Sequence, residues 1–308
     1  MLTNFFGKSK PINFIICGAY LLIALLVSFF YSDLAVINLQ ELLVKVGLWT
    51  ILVFSILLLD FVIRKNALTG SNTFGIFIFS GLIVMLPTIF NEVSIIFSNV
   101  FLLLALRRMV SLISEKNIEK KIFDASLYIT IAALFHFWSV LFLLPLFWGI
   151  VRIASASFRL LFIPLVGIFT VLILAVTAHL LVFDSLAWFL DWVPKFGLDF
   201  SAYNKANVLV PSAFIATLLI WTLVHRIMKF SSMPRKLQQN YRLLTITTVV
   251  SGVILFLSPI KTGAEILFLF APFSIVVTNY LERLSDFWFK EILCWVFVLM
   301  PIGLLFLK

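Results

Sequence analysis

Seven side chains of this 308-residue chain could work together on a polar substrate: Asp33, Asn91, Glu92, His136, His179, Lys261 and Glu265. An imidazole and a carboxylate form a proton donor and acceptor pair, and a lysine ammonium holds a phosphate. Lys261 and Glu265 stand four apart at a turn, so the simplest reading pairs them with each other. His136 and His179 show no metal-ligand spacing with the carboxylates, and the sequence implies no metal or cofactor. Nothing in the sequence matches a Walker A loop, HExxH, GxSxG, CxxC or a dinucleotide fingerprint. Cys17 and Cys294 both sit inside apolar runs and suggest neither a disulfide framework nor a zinc site.

Such residues need a frame, and the composition says what it is. Apolar residues make up 63% of the chain and charged ones 12%, and the mean hydropathy is +1.16. Apolar runs recur along the whole chain, with no polar stretch long enough for a soluble domain. The expectation is an all-α, polytopic membrane helix bundle over residues 1–308, a single integral membrane domain. The first run, "INFIICGAYLLIALLVSFF", lacks a small-x-small cleavage site and reads as a retained first helix.

Charge sets the orientation, because Lys and Arg concentrate in cytoplasmic loops. The run "IFDASLYITIAALFHFWSVLFLLPLFWGIV", residues 122–151, has His136 at its middle. As one helix it would extend about 45 Å against a hydrocarbon core of about 30 Å. It would also send the basic loop "HRIMKFSSMPRKLQQNYR" to the outer side. A hairpin with His136 at its outer tip avoids both problems. The same reasoning folds residues 74–106 into a hairpin tipped by Asn91 and Glu92.

The result is eleven helices, at about 12–30, 43–63, 74–90, 93–110, 123–136, 138–151, 160–182, 206–224, 243–260, 264–280 and 292–307. The N-terminus lies inside and the C-terminus outside. Only Lys45, Lys195, Lys205, Lys261 and Lys308 of the 23 Lys and Arg then fall outside. Helices of about 14 residues reach only about 21 Å, so a tip at His136 would lie below the outer surface and could frame a vestibule. The seven polar residues fall toward that side. Against the vestibule stands a plainer reading of His136, flanked by Phe135, Phe137 and Trp138, as part of an aromatic interface cluster.

Two loops add expectations. Trp188, Phe189, Trp192 and Phe196, with Asp191 four before Lys195, read as an interfacial helix or a lid. Arg226, Lys229, Arg235, Lys236 and Arg242 read as contacts for anionic lipid headgroups on the cytoplasmic side. In the second helix, Asp60 stands four before Arg64 and should pair with it near the inner surface. Cytoplasmic loops account for the net charge of +9, so nucleic acid is not an expected partner.

The stretches "FFGKSKPINFI", "LDFVIRKNALTGSNTFGIFIF", "LLALRRMVSLIS", "KIFDASLYITIAALFHFWSVLFL" and "LSPIKTGAEILFLFAPFSIVVTNYLE" resemble an uncharacterised family of polytopic proteins associated with Bacteroidota such as flavobacteria. The resemblance implies an inner (cytoplasmic) membrane location and no particular activity. Taken together, the sequence favours a non-catalytic component of an envelope complex, with envelope protein partners. The alternative is an enzyme acting on a lipid-linked envelope substrate from the periplasmic face, glycosyltransferase- or polymerase-like. Transport ranks third, because the helix centres carry almost no charge.

Overall fold

The computed structural model describes residues 1–30, 39–153, 157–186, 188–189, 192, 197, 199–230, 235–259 and 261–306. Twelve α-helices and no strand occur among them. Eight helical stretches are long and apolar enough to cross a membrane: Pro11–Phe29, Leu39–Lys65, Val93–Ser114, Phe158–Phe183, Ala206–Met228, Gln238–Leu257, Ala264–Arg283 and Phe287–Leu304. In lipid a backbone must satisfy its own polar groups, and a run of this length does so as a helix. Helix occurs in each of the eleven expected segments among the described residues, but the one expected at 74–90 ends at Met85. Of the three beyond the eight, Phe74–Met85 and Phe137–Val151 are short, the 12 residues of the first reaching only about 18 Å, while Ile118–Phe135 has 18 residues and opens on the charged Glu119, Lys120 and Lys121.

The chain divides into two compact units. The first comprises Met1–Ile96, Asp199–Pro234 and Lys261–Lys308. It contains α1 (Leu2–Phe6), α2 (Pro11–Phe30), α3 (Leu39–Lys65) and α4 (Phe74–Met85), and the start of α5 (Val93–Val110). The second comprises Phe97–Leu198 and Arg235–Ile260, with the rest of α5, α6 (Ile118–Phe135), α7 (Leu143–Val151), α8 (Ile163–Phe183) and α10 (Arg235–Leu257). The first unit also holds α9 (Ala206–Met228), α11 (Leu267–Arg283) and α12 (Phe287–Leu304).

In the first unit every residue of α4 is buried, and so is α11 from Leu267 to Leu281. A helix that is apolar on all sides belongs at a centre, and α4 packs on α11, α2, α3 and α12. Pro87 ends α4, because the residue before a proline avoids helical geometry; Leu86 has φ −129° and ψ 72°.

Polar contacts sort the helix ends of this unit into two groups. At one end Arg64, which also pairs with Asp60 at 2.6 Å, donates to Ser9 Oγ at 2.7 Å. There, too, Thr73 donates to the Phe6 carbonyl at 3.0 Å, the Gly70 amide to Glu282 at 2.8 Å, and the Leu2 amide to Glu291 at 2.7 Å. At the other end Lys45 donates to the Ser28 carbonyl at 3.3 Å and Tyr203 to Glu265 at 2.8 Å. Hence α2, α4 and α12 run from the first end to the second, and α3, α9 and α11 run back.

In the second unit α6 and α8 pack most closely, where a side chain on Gly167 would collide with Ser126. The α6 helix stops at Phe135, and His136 turns the chain with φ −144° and ψ 103° into a 3-10 segment, Phe137–Phe142. The following α7 packs back on α6. A buried helix end, with Ala132 and Ala133 at 0% and 1% exposure, needs partners for its carbonyls. The Ala132 carbonyl accepts from the His136 amide and from Ser98 Oγ, both at 2.9 Å, and the Ala133 carbonyl accepts from Trp192 Nε1 at 3.1 Å.

Candidate functional site

Three of the seven residues come together in the first unit. The 3-10 turns Pro87–Asn91 and Ala264–Ile266 pack on each other, which brings Glu92 to the Lys261–Glu265 turn. Gly263 has φ +87°, and a Cβ there would lie 2.9 Å from Val208 Cγ1 and 3.8 Å from Thr88 Oγ1. Glycine alone accepts both the left-handed backbone and the close approach.

Glu265 is wholly buried, at 0% exposure, and Lys261 is 5% exposed. A third residue also holds Glu265. Its Oε1 accepts from the Tyr203 hydroxyl at 2.8 Å, while its Oε2 is buried with no hydrogen-bond donor among the described residues. Lys261 Nζ stands 4.6 Å above the Phe200 ring. Burial lowers the pKa of Lys261, and the charge of Glu265 opposes that shift. Burial also raises the Tyr203 phenol, followed by the charge of Glu265 and the hydrogen bond to it. The phenol therefore stays protonated and donates.

Glu92 is half-buried, and no cation lies within ion-pair distance of it among the described residues. Burial raises its pKa, and the neighbouring Thr262 hydroxyl pulls the other way. The folded value thus lies above the unfolded one, so the folded state loses stability as pH rises from the ordinary carboxylate range through the folded value. Glu92→Gln should match the parent protein near about pH 4 and exceed it in melting temperature at about pH 8. A gap that shrinks as pH rises would show that Glu92 is stabilised as the anion. A carboxylate kept where its charge costs stability is a mark of a working site.

The other residues lie elsewhere. Asn91 is exposed beside Glu92, and Asp33 falls outside the described residues. His136 and His179 belong to the second unit. His179 Nδ1–H donates to the Ser185 carbonyl at 2.8 Å, and its ring lies 5.3 Å from Trp188. Asp191, Lys195 and Phe196 of the expected interfacial helix also fall outside the described residues. Trp192 is described, and its ring meets Phe137 at 5.1 Å, so it braces the His136 turn.

Among the basic residues expected at lipid headgroups, Lys229 and Arg242 are exposed, whereas Arg226 is buried at 2%. The Arg226 guanidinium is turned into the protein. Arg235 and Lys236 begin α10, and their side chains lie outside the description.

Sequence reasoning missed Tyr203, Phe200 and Thr262. Only Thr262 had a signal, its place inside the Lys261–Glu265 turn. No curated protein and no solved structure matches this chain. The family model DUF6427, described as a family of unknown function, matches residues 1–308, and the chain belongs to that family.

Proposed function

We propose that this is a multi-pass protein of the inner (cytoplasmic) membrane with its N-terminus in the cytoplasm and eleven passes, counting the short arms. It works in the cell envelope by taking the headgroup of a lipid or lipid-linked substrate at the periplasmic face, in the Lys261–Glu265–Tyr203–Glu92 cluster. The observation that carries this reading is the buried carboxylate of Glu265, with one oxygen held by Tyr203, the other lacking a donor among the described residues, and Lys261 four positions before it. An ammonium and two carboxylates suit a charged headgroup and its proton transfers.

The charges of the first unit support the orientation. Lys8, Lys10, Arg64, Lys65, Arg226, Arg283 and Lys290 gather at the end where the chain begins, and Lys45, Lys205 and Lys261 lie at the end of the cluster. Under the positive-inside rule the first end is cytoplasmic. One-sided enzyme reporters, fused after Lys308 and between Ser231 and Ser232, should report periplasm and cytoplasm respectively. Signals from the same side would overturn the orientation.

A non-catalytic role in an envelope complex is the second reading. The Tyr203 bond favours it, since that bond must break before Oε1 of Glu265 takes a proton. The two readings part on a simple comparison. In a deletion strain, Lys261→Gln and Glu92→Gln at parental abundance should fail to restore envelope integrity, whereas Lys205→Gln should restore it. Full restoration by all three would leave the complex component as the function.

A further inference from the structure

Beside the cluster lies a crevice of about 240 Å³ between α2, α4, α12 and the start of α9. Its walls include Ile23, Val84, Leu86, Val298, Ile302 and Leu305. Ile23 and Ile302 are themselves 49% and 50% exposed, on helices long and apolar enough to cross a membrane, so the crevice opens where acyl chains would lie. Tyr20, also in the wall, gives its hydroxyl to the Phe297 carbonyl at 2.8 Å. Thr88 and Asn207 differ. Each lines the crevice with a buried oxygen, Oγ1 and Oδ1, that has no hydrogen-bond partner among the described residues. Thr88 and Leu86 also flank Gly263, so the polar end of the crevice abuts the turn carrying Lys261 and Glu265.

The walls restrict the occupant. Water has few partners on such walls. A single hydrocarbon chain fits, with hydrogen-bonding groups needed only at the Thr88–Asn207 end.

We propose that the crevice holds one acyl chain of an ethanolamine phospholipid, with its ester region at Thr88 and its headgroup in the cluster. This deepens the proposed function and rests on its reading of the cluster as a headgroup site. The Thr88 hydroxyl donates to an ester carbonyl. Lys261 faces the phosphate, and Glu92 receives the headgroup ammonium, which choline cannot supply as a hydrogen-bond donor.

The test uses the full chain in lipid nanodiscs with three photoactivatable probes: an ethanolamine phospholipid, its choline counterpart and an isoprenoid phosphate. The ethanolamine probe should label residues 84–88 and 298–305 about fivefold more than the choline probe. Ile302→Trp, at the exposed rim, should cut that labelling about fivefold, and Val298→Phe should do the same should Ile302→Trp fail to fold. Glu92→Gln should abolish the preference for ethanolamine while labelling of the crevice persists.

Equal labelling by both phospholipids, labelling by the isoprenoid alone, or labelling spread evenly over exposed faces such as Phe54 and Leu57 would each overturn the assignment. Loss of envelope function in Lys261→Gln without crevice labelling would end the crevice assignment and leave the headgroup site standing. Crevice labelling as expected, with reporters placing Lys261 in the cytoplasm, would end the periplasmic site and leave the crevice.

Discussion

Replacing Glu265 by Ala should destabilise the protein by about 3–5 kcal/mol, because it removes the counter-charge from a buried ammonium and the acceptor from a buried phenol. The cost exceeds that of Tyr203→Phe, which deletes one bond to a charged acceptor and should lose roughly 1.5–3 kcal/mol. The distinguishing measurement is a double-mutant cycle by thermal unfolding in detergent. Glu265→Ala combined with Lys261→Met should be less destabilised than the sum of the single changes, since the second removes the charge that the first strands. Strict additivity would mean that Lys261 and Glu265 do not share their burial. The same change should lower protein abundance in cells, as losses of this size do.

The next largest effect belongs to Glu291. Its carboxylate lies at the N-terminus of α1 and accepts from the amides of Leu2 and Thr3, at 2.7 and 3.0 Å, and from the Thr3 hydroxyl. A carboxylate there satisfies amides that have no partner within the helix and meets the positive end of the helix dipole. Glu291 is 6% exposed, so its removal leaves these donors facing an apolar gap. Glu291→Ala should cost about 2–4 kcal/mol, with Glu291→Gln recovering part of it. Hydrogen exchange should show protection lost first over residues 2–6. If α1 keeps its protection in Glu291→Ala, then the stacking of Phe6 on Phe77, centroids 4.3 Å apart, is what holds it.

The helices were legible in the sequence because lipid forces long apolar runs into one conformation, and both breaks carry a visible mark. Asn91 and Glu92 interrupt one run, and His136 divides the other. The start of α6 at Ile118 rather than at residue 123 was hidden by "EKK", a charged stretch that forms helix beyond the apolar run. Burial was not legible either. Ile163–Phe183 carries no Asp, Glu, Lys or Arg and has few buried residues, whereas Leu267–Arg283, which carries Asn279 and Glu282, is buried from Leu267 to Leu281, so hydrophobicity does not separate a helix facing protein from one facing lipid.

The candidate site was half legible. Lys261, Glu265 and Glu92 stood out as rare charges between apolar runs, but Tyr203 reaches Glu265 across 62 positions and Glu291 reaches Thr3 across 288. Only packing creates such contacts, and one sequence carries no trace of them.

The His136 turn also sets an order of events during synthesis. Ser98 is made before Ala132, so one carbonyl partner is waiting when α6 emerges from the ribosome. The partner of Ala133 is Trp192, which follows 59 residues later. At roughly 5–20 residues per second that is a delay of about 3–12 s. Throughout it the nascent hairpin holds an incomplete turn, open to membrane chaperones and to quality-control proteases, and a pause in translation before Trp192 would prolong that exposure.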